Sequence, residues 1–170
     1  PKVASQTWLV LADEFGYSAD LAHALQDILL GYGQQVELQT ELALTQAFDH
    51  IVQLQGLCFS EATDLMALQE RRCVSSLGLV QALDQAAIKL TQLWLVTAGA
   101  MEVSQPAQAA LWGLGRVLMN EHPDLNLKLI DLQQMPSPIE AAKLLVDEYL
   151  YAEHEDEVLV SSTQRQVLRL

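Results

Sequence analysis

The sequence has little of what most function classes require. Only two cysteines, Cys58 and Cys73, occur in 170 residues. Neither belongs to a Cys-x-x-Cys pair, so they read as reduced, buried thiols, not as a disulfide framework or a metal site. The histidines His23, His50, His122 and His154 are scattered, with no i, i+4 pair to hold zinc. No apolar run reaches the roughly 18 residues that cross a bilayer, and Pro1 to Gln6 lack a signal-peptide core. A cytoplasmic location is expected. Nine basic residues face 22 acidic ones, for a net charge of −13. Such a surface repels nucleic acid and anionic membranes and serves solubility first. Aromatics are scarce at 6%, so the core must be mostly Leu, Val, Ile and Ala.

Catalytic motifs are missing too. A dinucleotide fold needs G-x-G-x-x-G in its first strand-to-helix turn, for the tight turn, the pyrophosphate approach and the helix packing. Here that turn is Ala12-Asp13-Glu14-Phe15-Gly16-Tyr17-Ser18. One glycine remains, two carboxylates sit where phosphate would lie, and Phe15 and Tyr17 obstruct the backbone. Short-chain reductases need Tyr-x-x-x-Lys. The residues four before Lys89, Lys128 and Lys143 are Gln85, Asp124 and Ile139, so the proton donor is absent. There is no G-x-S-x-G elbow and no P-loop. No catalytic, cofactor-binding or metal-binding residue is therefore assigned. Asp131 ends a strand and reads as a structural cap. His154 lies in an acidic run, Glu153 to Glu157, that reads as exposed.

What is present is a regular alternation of strands and helices. Strands are expected at Thr7 to Ala12, a continuous apolar run, at Gln35 to Gln39 with Val36 and Leu38 alternating, and at Ile51 to Phe59, Leu93 to Thr97 and Leu127 to Asp131. Continuous apolar runs mark strands covered on both faces. Helical spacing covers Ala19 to Leu30 with Ser18 as N-cap, a short helix Glu41 to Asp49, and a polar helix or loop Glu61 to Arg72. It recurs in Val74 to Ala87 (Leu77, Val80, Leu83 and Ala87 in register), Gln105 to Glu121 and Ser137 to Leu150. In the last, Ile139, Ala142, Leu145, Val146 and Tyr149 form the expected buried side. Two strand-like pieces, Val158 to Ser161 and Gln166 to Leu170, close the chain as a hairpin. The fold class is α/β: one domain, a truncated Rossmann-like parallel sheet flanked by helices over 1–155, with a C-terminal β tail over 156–170.

The helix Pro106 to Met119 is apolar nearly all round, which predicts burial on more than one side. Gly113 and Gly115 each weaken a helix by about 1 kcal/mol relative to Ala, so both suggest close packing. Leu111, Trp112, Gly113, Leu114, Gly115, Val117 and Leu118 are the candidate interface.

At this helix the sequence resembles a known family. Leu93-Trp94-Leu95-Val96-Thr97-Ala98-Gly99-Ala100, then Trp112-Gly113-Leu114-Gly115-Arg116, Glu121-His122-Pro123 and Leu129-Ile130-Asp131-Leu132 resemble the structural subdomain of modular polyketide synthase ketoreductases. Leu77 to Ala87, and Glu157-Val158-Leu159 with Arg165 to Leu170, extend the likeness over nearly the whole chain. The resemblance implies the first, non-catalytic half of a ketoreductase. The second half would bind NADPH and reduce a β-ketoacyl group on a phosphopantetheine-bearing acyl carrier protein, in a polyketide or related fatty-acid megasynthase that also carries acyltransferase domains. Its implied partners are that catalytic subdomain and neighbouring synthase domains, with the carrier protein indirect. Two other readings stand beside it. One is a pseudo-ketoreductase scaffold or interaction module next to a methyltransferase, dehydratase or enoylreductase. The other is a stand-alone enzyme with a pocket lined by Asp13, Gly99 and Asp131.

Overall fold

A computed structural model describes residues 3–57, 65–101 and 106–169. Seven strands form one sheet in the order β2-β1-β3-β4-β5-β6-β7. They are β1 (Thr7–Leu11), β2 (Gln35–Gln39), β3 (His50–Gln53), β4 (Gln92–Ala98), β5 (Leu127–Leu132), β6 (Glu157–Val160) and β7 (Arg165–Val167). All pairings are parallel except β6 with β7, the antiparallel tail hairpin. A full Rossmann sheet carries two strands beyond its first; here β2 alone lies outside β1, which is the truncation.

The strands alternate between two cores. Trp8, Val10, Trp94, Val96, Ile130 and Leu132 face α1 (Tyr17–Gly31) and α4 (Pro138–Tyr151). Leu9, Leu11, Leu93, Leu95, Leu127 and Leu129 face α2 (Leu65–Gln85) and α3 (Pro106–Glu121). Every strand residue in the central β4 after Gln92 is buried, as a sheet covered on both faces requires.

Several local expectations are corrected. Gly16, not Ser18, is the N-cap of α1, with φ of 84°. Ser18 lies inside the helix, where its Oγ donates to the Leu54 carbonyl and accepts from the Asp13 N–H. Glu41 to Asp49 is a loop, not a helix. The Gln39 side chain bonds both the N–H and the carbonyl of Ala43, while Leu42, Leu44 and Phe48 still pack on the core. β3 is shorter than expected because the Leu57 N–H turns back to the Leu54 carbonyl around Gly56, φ 73°. Cys58, Phe59 and Ser60, the start of the expected helix at Glu61, and Gln105 lie outside the described residues. The two helical patterns around Arg72 and Val74 form one continuous α2, with Leu77 turned outward and Ala87 beyond its end. Cys73 is a free thiol whose pKa burial raises.

In α4 the expected start holds. Ser137 accepts from the Glu140 N–H while the Glu140 carboxylate accepts from the Ser137 N–H. That is the reciprocal capping box. Ile139, however, points to solvent. The acidic run is not uniformly exposed either. Glu157 enters β6 and is buried, accepting from Arg116 Nε and Nη2 at 2.7 to 3.1 Å.

Candidate functional site

In open α/β sheets ligands bind beyond the carboxyl ends of the strands, where the strand order reverses. Here that point lies between β1 and β3. It holds a cavity of about 330 Å3 lined by Asp13, Gln55, Gly56, Arg71, Arg72 and Ser75. The chain fills much of the approach itself. Asp13 Oδ2 accepts from the Gly56 N–H at 2.7 Å. The Arg72 side chain, 2% exposed, lies so close over Gly56 that a Cβ there would sit 2.7 Å from its Cγ. Gly56 thus gives close backbone approach to an arginine of this chain. In a dinucleotide site the same freedom serves a pyrophosphate. In the β1–α1 turn Asp13 is engaged, Glu14 lies beside it and Ser18 is bonded on both sides.

Asp131 sits at the end of β5, wholly buried. Its Oδ1 accepts from Thr97 Oγ1 at 2.7 Å and from the Ala100 N–H at 2.8 Å. Its Oδ2 accepts from the Met101 N–H and Gln133 Nε2 at 3.4 and 3.5 Å. Burial raises its pKa against these bonds. It clamps the turn after β4, around Gly99 with φ of 66°. The structural role expected of Asp131 was as a cap for the segment after it; that placement is corrected, since the turn it caps is the one after β4. Asp13 and Asp131 each serve a separate turn, and neither presents a free carboxylate beside Gly99. Among the described residues no cluster of three or more His, Cys, Asp or Glu could hold a metal ion, and no helix is long and apolar enough to cross a membrane.

The α3 residues divide by helical phase. Leu111, Trp112, Gly115 and Leu118 are buried toward the sheet. At Gly115 a Cβ would stand 2.3 Å from Leu129 Cδ2, so only glycine lets the helix lie this close to β5. Leu114 is half-buried. Gly113 and Val117 face outward with Ala109, one turn apart each. Val117 is 49% exposed. Nothing lies within 4 Å of a Cβ at Gly113. The expectation of close packing at both glycines is therefore corrected for Gly113 within this chain. Beside α3, α2 adds the exposed Val74, Leu77 and Gly78. Helical spacing had put Leu77 in register with Val80 and Leu83, and no local spacing had marked Val74 or Gly78. Arg116 explains the last position of the Trp-Gly-Leu-Gly-Arg segment: it ties α3 to β6 through Glu157.

A second polar cluster lies at the opposite end of the sheet. His50 stacks on Trp8 with ring centroids 4.1 Å apart. Its Nε2 meets Gln6 Oε1 at 2.8 Å, the same oxygen that accepts from the Tyr149 hydroxyl. Burial pushes the His50 pKa down to about 4, against an opposing pull from Asp49. Nearby, Glu148 bridges Lys128 at 2.6 Å and Arg165 at 2.7 Å.

The comparisons agree with this architecture. A family model for the Rossmann fold domain of the polyketide synthase extender module SpnB matches residues 4–170. The pikromycin polyketide synthase component PikAIII of Streptomyces venezuelae is 39% identical over 103 residues, 57% of this chain and 6% of that protein. Component PikAII of the same organism is 45% identical over 76 residues, 41% of this chain and 2% of that protein. The chain thus spans only a few per cent of the length of these relatives. A carbonyl reductase from Pseudomonas aeruginosa PAO1 superposes with a TM-score of 0.59 at 16% identity, covering 97% of this chain and 100% of the other. That last likeness shows the fold.

Proposed function

This chain belongs to the family of Rossmann-fold domains from polyketide synthase extender modules, and from that premise we propose that it is the structural, non-catalytic half of a ketoreductase. In this reading a second Rossmann-like half holds NADPH and reduces a β-ketoacyl group presented by an acyl carrier protein. This chain binds no cofactor and gives that half a rigid wall to pack on. The observation that carries the reading is the switch point, where Arg72 and Asp13 of the chain itself close over Gly56.

The wall is the outer face of α2 and α3. Val74, Leu77, Gly78, Ala109, Gly113 and Val117 are its exposed small and apolar residues. Two helical glycines on adjacent helices leave room for partner side chains to approach the backbone. Burying an exposed valine is worth about 1.5 to 3 kcal/mol, so a charge at that position should oppose docking strongly.

The test is Val117→Arg in the complete synthase. Ketone reduction is expected to fall at least tenfold, while the urea midpoint of residues 1–170 alone stays unchanged. Full reductase activity in the variant would contradict the assignment of this face.

A further inference from the structure

The crest of the sheet carries a second exposed apolar surface, on the face opposite α2 and α3. Phe15 is 78% exposed, Met135 64% and Ile139 60%. They come from two loops that the fold holds together. The Tyr17 hydroxyl, two residues after Phe15, donates to the carbonyl of Pro136, next to Met135, at 2.9 Å. Ile139 follows in the first turn of α4, which packs along α1.

At Met135 the backbone itself is unusual. Gln134 and Met135 are consecutive non-glycine residues in the left-handed region, with φ of 63° and 46°. L-residues other than Asn and Asp rarely adopt that conformation. A bulky, exposed methionine there gains nothing from the fold of this chain. Such backbone persists only where the surrounding structure holds it, and it clusters at binding and switch sites. Large exposed apolar clusters likewise mark interaction sites.

Charge narrows the partner. Glu14, Asp20 and Glu140 are exposed around this surface. Glu140 is close enough to the Tyr17 phenol to help raise its pKa, after burial. The nearest cation along α4, Lys143, lies one turn further from the crest. An apolar segment flanked by lysines or arginines would match both the patch and its rim.

We propose that Phe15, Met135 and Ile139 form a docking surface for an apolar protein segment with basic flanks. This surface is distinct from the α2–α3 wall and does not depend on the ketoreductase reading. The experiment uses the complete synthase, with Phe15 replaced by the photoreactive p-benzoylphenylalanine, followed by peptide sequencing of the adducts. The expected adduct lies outside residues 1–170, in an apolar stretch flanked by Lys or Arg. Met135→Asn, a residue suited to left-handed backbone, is expected to cut its yield at least tenfold without lowering the urea midpoint. Absence of any adduct, an adduct with an acidic or uncharged segment, or one joining two copies of residues 1–170 would overturn the proposal. So would an adduct whose yield ignores Met135→Asn. Failure of Val117→Arg to affect ketone reduction, with this adduct intact, would count against the α2–α3 assignment alone.

Discussion

Glu148→Gln is expected to remove about 3 to 5 kcal/mol of stability, the cost of breaking a buried ion pair from one side. Against the roughly 5 to 15 kcal/mol that holds a typical domain, that loss is large. The physical reason is Lys128. Its side chain, on β5, is 4% exposed, and its ammonium meets the Glu148 carboxylate at 2.6 Å. Removing the carboxylate charge strands an ammonium that is almost wholly buried. Arg165 is half-exposed on β7 and can turn outward, so it shares less of the cost. Burial pushes the Glu148 pKa up, but the bonds from Arg165 and Lys128 outweigh it and hold the carboxyl below its ordinary range. Urea unfolding measures the effect. Replacing both partners, Lys128→Met with Glu148→Leu, is expected to recover most of the loss, because no charge is then left buried. A loss below 1 kcal/mol in Glu148→Gln alone would contradict this account. The network also fixes the tail hairpin, since Glu148 on α4 grips β5 and β7 at once.

The second large effect comes from His50. Its imidazole is buried against Trp8 and Tyr149, and burial pushes its pKa from the ordinary 6.5 down to about 4. In the unfolded chain it titrates normally. Between those values the unfolded state binds the proton and the folded state does not, so stability rises with pH across the window. The contribution is complete above pH 6.5 and is lost as pH falls toward 4. At about 1.4 kcal/mol per pH unit the loss amounts to about 3 kcal/mol. His50→Gln is expected to flatten the stability profile between pH 4 and 6.5, measured by urea titrations at several pH values. An equal slope in the variant would assign the effect to other groups.

Much of the fold was legible because the central strands are rich in apolar residues, β2 alternates Val36 and Leu38, and the helices repeat apolar residues every three or four positions. Thr7 to Leu11, Gln35 to Gln39 and the Ser137 capping box need no tertiary information. The failures share a cause: they depend on contacts distant in sequence. Glu41 to Asp49 has helical spacing, yet the Gln39 side chain supplies its polar partners and keeps it a loop. Glu157 sits in an acidic run, and only the pairing of β6 with β5 carries it inside to Arg116. Nothing local marked Arg72 as the side chain that closes over Gly56. The two glycines of α3 are different. Residues two apart on a helix differ by about 200° in direction, so Gly113 and Gly115 had to face opposite ways. Phase against Leu111 and Leu118 would have sorted them from the sequence.

The turn that lacks its glycines remains the centre of the account. Its absence of a phosphate loop agrees with a switch point where Arg72 lies against Gly56 and Asp13 is bonded to the Gly56 N–H. A half-domain relieved of cofactor binding should be blind to the cofactor. The described residues bury two hydrophobic cores around one sheet. Isothermal titration of this chain with NADPH is the most direct measurement. No saturable heat up to millimolar cofactor is expected; saturable binding at micromolar affinity would contradict the structural, non-catalytic assignment.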